Sequence, residues 1–582
     1  MTTTKATTKA TTRTRMRAGI VGGLFLMALT AICAQAVRLH VFKGAWLSER
    51  AAGQYERSTV IQGKRGTIFD RNGSPLAVSI ESVSIAAHPA VFPDRQAASV
   101  RLAKALGQRQ RDVYAKLNPK RSFVWLKRQA IPSQAEAVRK LDMKGIDFIT
   151  EHSRYYPSKT LAAQLLGFSG IDGHGLEGLE FYFDADLKGR EKEITVLKDA
   201  HNDRFEGVGE LPPTEGNNVV LTIDRTIQHI AQKALEASVS EFKGRSGMAI
   251  VMAPATGEVL ALAQYPFFNP NRFRTYGREL WRNRVVTDPF EPGSTMKIFS
   301  VAAAIDKNIC SPSTIFYCEN GEYRIGRNVI HDTKSHGWLS LQQIVKYSSN
   351  IGAVKMAEKL GAQQLYEYLQ SFGFGRRSGI ACPGETAGSL SSFKNWSAID
   401  TGAISFGQGI SVSAIQLAAA ASAIANDGML MKPMLVKAVT DRKGRPVKSY
   451  DPQPVRRVVS AQTARTVRRI LKTVITEGGT GVNAALEGYS VCGKTGTAQK
   501  IDDSGTYAKG RYLSSFLGFA PADHPELTIL VIVDEPGNQN YGGIVAAPAF
   551  RKIALETLSY LNIPPGPDAD RLRVSRGNRA KG

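Results

Sequence analysis

The chain has 582 residues, 43% of them hydrophobic, which is too long for one compact domain and rich enough for two or three cores. Its formal charge of +24 suits an anionic partner or surface, or serves as diffuse solubilising charge. Five cysteines, at 33, 310, 318, 382 and 492, fit no zinc spacing, so the chemistry is not expected at cysteine.

The first 17 residues, MTTTKATTKATTRTRMR, are Thr-rich and carry five cations and no acid. Ala18 to Val37 then runs without a charge, long enough to cross a bilayer as a helix. The cations before it place residues 1–17 in the cytoplasm and everything after Arg38 outside. Ala34-Gln35-Ala36 resembles a signal-peptidase site, but the apolar run exceeds a usual signal core of ~7–15 residues. An uncleaved, single-pass anchor is the expectation, and an exported location excludes nucleic acid as partner. Outside the cytoplasm Cys310 and Cys318 could pair; separate packing is expected.

Residues 38–220 read as an extracytoplasmic, non-catalytic module. RGTIFDRNGSPLAVS (65–79) suggests two short strands around a D-R-N-G turn, and 94–117 and 132–142 have helical apolar spacing. The stretch 150–200 is rich in Gly and charge and shows no catalytic cluster. A second unit, 221–561, opens with the strand VVLTID and a helix from Arg225 to about Val239. A β-hairpin (247–253 and 259–264) follows, then a mostly helical middle from about 294 to 480. Strands return at 489–498, 512–520 and 527–533, and a closing helix ends near 561. Strands at both ends of a unit with helices between imply an α+β fold, one five-stranded antiparallel sheet flanked by helices. The basic tail 562–582 is expected to be disordered.

Three short elements carry the chemistry: Ser294-Thr295-Met296-Lys297, Ser348-Ser349-Asn350 and Lys494-Thr495-Gly496-Thr497. S-x-x-K alone is weak, since SEFK (240–243) and SSFK (391–394) also match it. All three in this order form the set that penicillin-binding proteins and class A β-lactamases share. Ser294 follows the turn Glu291-Pro292-Gly293 and opens an apolar helix, where orphan N–H groups favour an anion. Lys297 lies one turn on, on the same face. An ammonium in an apolar site loses its proton readily, which gives a serine nucleophile activated by lysine. Ser348 can relay a proton to the leaving amine. Asn350 can bond a peptide carbonyl and a lysine. Lys494 sits on a strand edge suited to an extended peptide. Gly496 would let that strand approach the ligand, while the hydroxyls of Thr495 and Thr497 would bind a terminal carboxylate with the Lys494 charge behind them. His331, Asp332 and His336 invite a triad, but a loop with structural hydrogen bonds is the expectation.

The sequence resembles the class B penicillin-binding proteins along nearly its whole length, with flanking text most like the division-specific members. The resemblance rests on RGTIFDRNGSPLA, on residues 154–180, on RNRVVTDPFEPGSTMK, SFGQGISVSAIQLAAA and CGKTGTAQK, and on YGGIVAAPAF at 541–550. It implies a pedestal of the dimerisation type over 38–220 and a transpeptidase domain over 221–561. It implies that Ser294 attacks the bond between two terminal D-alanines of a peptidoglycan stem, and that an amine of a second stem takes the acyl group. The oxyanion would lie between the backbone N–H groups of Ser294 and Thr497. β-Lactams would acylate the same serine, and no metal or organic cofactor is implied. Implied partners are a membrane-embedded glycan polymerase and other division-complex proteins. The second element has Ser349 where β-lactamases carry Asp, and no E-x-x-L-N element is present, so fast hydrolysis of the acyl-enzyme is not expected. An elongation-specific transpeptidase, a β-lactam hydrolase and a non-catalytic division scaffold are the alternatives.

Overall fold

The computed structural model describes residues 4–44, 46, 56–61, 63–189, 192–198, 204–205, 215–502 and 504–566. The predicted tail lies mostly outside the described residues. The chain divides into two compact units, residues 1–63 with 190–214, and residues 64–189 with 215–582.

The first unit carries the helix Thr4–Val37 and three strands, Glu56–Ile61, Lys192–Lys198 and Arg204–Phe205. Its stretch Arg15–Phe42 is long and apolar enough to cross a membrane and is buried by nothing in the structure, which fits a single-pass membrane protein. The helix starts at Thr4 rather than at Ala18, so the Thr-rich segment is continuous with the apolar run. Once a helix is nucleated, extension costs little even for weak helix formers.

The second unit contains the predicted sheet. Its strands are β1 (Ser246–Met252), β2 (Val259–Tyr265), β3 (Cys492–Ile501), β4 (Tyr507–Ala520) and β5 (Leu527–Asp534). They pair antiparallel in the order β2-β1-β5-β4-β3, which leaves β3 at one edge. The helices that matter here are α1 (Arg225–Glu241), α2 (Lys297–Asp306), α3 (Leu341–Tyr347), α4 (Asn350–Leu360), α5 (Ala414–Ala425), α6 (Ala461–Ile475) and α7 (Ala547–Tyr560). Alternation sorts each central strand between two cores. Met248, Ile250, Leu530 and Ile532 face one core with α2, α5 and α6. Ala249, Val251, Val531 and Val533 face the other with α1 and α7. Both faces are covered, which is why these strands read as unbroken apolar runs. Every residue of the Ala-rich α5 is buried, as expected of a helix apolar all round.

The middle is less purely helical than its pattern suggests. Ile315–Tyr317 pairs with Trp338–Ser340, Glu322–Ile325 with Asn328–His331, and Met429–Met431 with Pro454–Arg457. Strands of three or four residues are too short to show a period-2 signature. Backbone pairing also continues across the residue-220 boundary. Asn218–Leu221 runs parallel to Ile68–Phe69 and antiparallel to Val436–Thr440, within one seven-stranded sheet. The D-R-N-G turn reinforces that junction. Asp70 Oδ1 accepts from the N–H groups of Asn72 and Ser74, and its Oδ2 accepts from Arg225 N at the start of α1. Asp224 caps the same helix and accepts from Asn72 Nδ2.

Residues 150–200 hold a buried charge cluster that the sequence reading missed. Glu180, fully buried, accepts from Arg65 Nε and Arg154 Nε, both at 2.6 Å, and from the Tyr156 hydroxyl at 3.2 Å. Burial pushes the Glu180 carboxyl up, but the two guanidinium groups outweigh it and hold it below the usual carboxylate range. Glu180→Gln should therefore destabilise the protein by ~3–5 kcal/mol, because buried Arg154 loses its counter-charge and Arg65 keeps only Asp184. Denaturant melts of the two proteins at neutral pH check this. Lowering the pH through the depressed Glu180 value should narrow the gap, since the wild-type carboxylate is then neutralised as well.

Candidate active site

The turn before α2 is a 3-10 segment, Gly293–Met296, so Ser294 lies just ahead of the α-helix. Tight packing sets this turn. Gly293 has φ +55° and Gly407 φ +91°, and a Cβ on Gly407 would come within 2.2 Å of Gly293 O. Gly293 N–H donates to Gly407 O at 3.2 Å. SFGQG (405–409) thus forms the bed of the Ser294 turn, a role its sequence did not reveal. Beside it, the half-buried Glu291 accepts from Gly409 N at 2.8 Å and from the Tyr507 hydroxyl, and burial lifts its carboxyl above the usual range.

All three sequence elements meet at this turn. Lys297 Nζ is fully buried and lies 3.0 Å from Ser294 Oγ. It donates at 2.7 Å to Ser348 O and at 2.7 Å to Asn350 Oδ1, with Ser348 Oγ at 3.3 Å. A neutral amine has two N–H groups, and those two carbonyl-type acceptors can use both. The lone pair is then left to accept the Ser294 hydroxyl proton. Burial depresses the Lys297 ammonium to about 7, against a smaller opposing pull from Asp332.

Ser348 closes α3 with φ +63°, and Ser349 caps α4. Asp332 fixes this corner. It accepts from the backbone N–H groups of Asn350 and Ile351 at the positive end of α4, and from Ser349 Oγ. His331 lends its backbone oxygen to Asn350 Nδ2 and its ring faces Glu322, while His336 stacks on Tyr347. These contacts are structural, as the loop reading expects, and they form no triad.

Lys494 extends from β3 to the same point, 2.9 Å from Ser348 Oγ. Ser348 Oγ therefore bridges two amines. Lys494 is fully buried, and burial followed by the nearby Lys297 charge pulls it well below the usual lysine range. Both causes favour the neutral amine at Lys494. A Cβ on Gly496 would lie 2.3 Å from Ser515 Oγ on β4 and 3.0 Å from Thr295 Cγ2 in the Ser294 turn, so packing within the chain itself favours glycine there. Thr495 is 7% exposed and bonds Thr480 Oγ1 at 2.8 Å. Thr497 is half-buried and its hydroxyl accepts from Gly542 N at 3.4 Å, which leaves its own hydrogen for a ligand. Tyr541-Gly542-Gly543 accordingly adjoins β3.

Among the described residues β3 pairs only with β4, so its outer edge has no strand partner. The site is a half-buried hydroxyl beside a deprotonable lysine, a second hydroxyl between two amines, and an open strand edge. This set can transfer an acyl group from an extended peptide. The competing S-x-x-K serines, Ser240 and Ser391, are exposed along with Lys243 and Lys394. The four cysteines of the second unit are buried and unpaired.

Comparison with known proteins agrees with this chemistry. Residues 247–555 match the penicillin binding protein transpeptidase domain, and residues 60–221 match the penicillin-binding protein dimerisation domain. A probable peptidoglycan D,D-transpeptidase of Neisseria gonorrhoeae, PenA, is 34% identical over 93% of this chain and 92% of its own. The peptidoglycan D,D-transpeptidase FtsI of Escherichia coli K12 is 33% identical over 94% and 92%. Crystal structures of penicillin binding protein 3 from Mycobacterium tuberculosis, including complexes with aztreonam and ampicillin, are 30% identical. They cover 88% of this chain and 98% of their own, with a TM-score of 0.69.

Proposed function

The chain belongs to the penicillin-binding protein transpeptidases, and from that premise we propose that it is a peptidoglycan D,D-transpeptidase of septal wall synthesis, acting through an acyl-enzyme on Ser294. The continuous path Ser294 Oγ, Lys297 Nζ, Ser348 Oγ, Lys494 Nζ beside the open edge of β3 carries this reading.

The donor stem lies along β3, its terminal carboxylate near Thr497 and the Lys494–Thr495 pair. Neutral Lys297 takes the Ser294 proton as Oγ attacks the carbonyl between the two D-alanines. The N–H groups of Ser294 and Thr497 receive the oxyanion. As the C–N bond breaks, the proton passes from Lys297 through Ser348 to the departing amine, and D-alanine leaves. An amine of a second stem then attacks the ester, its proton returns to Ser294 Oγ, and the cross-link is closed. A β-lactam enters by the same first step, but its amine stays tethered to the acyl group.

The segment 38–220 is the pedestal and 221–561 the transpeptidase domain. The N-terminal helix anchors the protein in the inner membrane, with its basic end in the cytoplasm and the catalytic domain in the periplasm. A membrane-embedded glycan polymerase and other division proteins are its partners.

The test is incubation of the detergent-solubilised full-length protein with a penicillin, followed by intact mass and peptide mapping. A single adduct on Ser294 that persists is the expected result. No adduct, or one on Ser240 or Ser391, would overturn the assignment, and rapid turnover without accumulation would favour a hydrolase.

A further inference from the structure

One carboxylate links the Ser294 turn to the far end of the β3–β4 hairpin. Glu291, in the stretch that leads into Ser294, accepts at 2.8 Å from Gly409 N, in the bed of that turn. Its other oxygen accepts at 3.1 Å from the hydroxyl of Tyr507, 216 residues on. Tyr507 opens β4 and pairs with Ile501, the last residue of β3, so it stands at the outer end of the hairpin. Burial and then the facing Glu291 push the Tyr507 phenol up, so it keeps its proton and remains the donor. Other contacts hold the hairpin to the sheet. Lys500 Nζ pairs with Asp534 at 2.9 Å and with Glu535 at 2.6 Å, at the end of β5. The Tyr507–Glu291 bond instead ties the hairpin to the nucleophile's side of the cleft.

We propose that Glu291 and Tyr507 are positioning residues for the donor. Their hydrogen bond holds the outer half of the β3 edge, where the stem residues ahead of the scissile bond lie. The identity of that donor rests on the transpeptidase reading.

The burial of β3 sets the direction in which the donor runs. Cys492 to Gly496 are buried, whereas Gln499 and Lys500 are half-buried and Ile501 is 49% exposed. A stem whose terminal carboxylate sits near Thr497 and the Lys494–Thr495 pair therefore continues toward Ile501. Its residues ahead of the scissile bond then meet Ala498–Ile501, a stretch of about 10 Å that about three extended residues cover. Strand pairing by itself leaves this stretch under-determined. The β3–β4 register slips between Gln499 and Ile501, and an irregular pair is held less firmly than a continuous ladder. A side-chain tie at Tyr507 acts at the residue where the pairing resumes. Glu291 suits the anchoring role because its first oxygen is fixed by Gly409, and SFGQG is in turn packed against Gly293. The second oxygen is thereby aimed at Tyr507 before any donor arrives.

The experiment uses the detergent-solubilised full-length protein and its Tyr507→Phe and Glu291→Gln variants. Turnover is compared for a stem pentapeptide and for acetyl-D-alanyl-D-alanine, which is too short to reach Ile501, with penicillin acylation of Ser294 as control. Tyr507→Phe removes the hydroxyl and keeps the ring. It should raise KM for the pentapeptide about fivefold with kcat kept, and change short-donor turnover and acylation by less than about twofold. Glu291→Gln keeps an oxygen for Gly409 and turns its amide N–H to the Tyr507 oxygen, so it should retain the low KM for the pentapeptide. Equal losses on both donors would mean that the pair acts under Ser294 and would overturn the proposal. No loss on the pentapeptide would overturn it too, as would a Glu291→Gln variant as impaired as Tyr507→Phe. A second arm is independent of catalysis. Amide hydrogen exchange in the hairpin arms should quicken in Tyr507→Phe, while exchange in α2 stays as in wild type. Unchanged exchange in the arms, or equal quickening in α2, would also overturn it. If no donor turns over and Ser294 is not acylated, the enzyme reading has failed, and the exchange measurement still decides whether Tyr507 holds the hairpin.

Discussion

Ser294→Ala lowers the rate of penicillin acylation by at least about 10⁴-fold, and donor turnover falls with it, while the fold is kept. The substitution removes the hydroxyl that attacks the carbonyl in the proposed mechanism. It leaves Lys297 with its two closest partners, Ser348 O and Asn350 Oδ1, both at 2.7 Å. The lost contact is one hydrogen bond at a half-buried position, on the order of 1 kcal/mol of stability. The variant should thus melt near wild type and still bind penicillin without acylation. Mass spectrometry of the penicillin-treated variant and a denaturant melt together test this. An adduct persisting in the variant would mean that another nucleophile does the work. A large drop in melting temperature would mean that the serine is structural, and loss of turnover would then say nothing about chemistry.

The parts of the protein that sequence revealed share one property: each is decided locally. The catalytic sheet is legible because β1 and β5 are covered on both faces and so read as apolar runs. Ser294 and Lys297 are legible because three residues is one helical turn, a spacing that holds whatever surrounds it. What sequence hides depends on partners far along the chain. Glu180 lies 115 residues from Arg65 and only burial marks the pair as more than surface charge. Gly407 looks like any loop glycine until Gly293, more than a hundred residues earlier, is packed against it. Asp332 reads as a loop residue with structural hydrogen bonds, but its partner, the N-terminus of α4, is not visible in the sequence. Lys494 is the clearest case. Its position in the cleft is legible, but the downward pull on its ammonium is not, because burial and then Lys297 cause it and neither is visible in K-T-G.

The second large effect is that acylation follows the titration of Lys297. The Lys297 ammonium is pushed down to about 7, so the neutral amine that can accept the Ser294 proton grows through neutrality and saturates above it. The second-order rate of acylation, measured by stopped flow from about pH 5.5 to 9, should fall tenfold per pH unit on the acid side and level off on the basic side. Lys297→Arg keeps the positive charge and permits no base, so it should cost about 10²–10⁴-fold across that range and remove the pH dependence. Lys494→Ala separates the two amines. It should slow acylation through loss of the Ser348 contact, yet leave the midpoint where Lys297 puts it. A flat wild-type profile, or a midpoint in the ordinary lysine range, would sink the assignment of Lys297 as base. Stability should carry the same signature with a defined sign. From about pH 7 up to the ordinary lysine value, the unfolded chain still holds the proton that folded Lys297 has released, so stability rises with pH across this window. The burial that costs the fold stability at low pH is the same burial that makes the lysine a base at neutral pH.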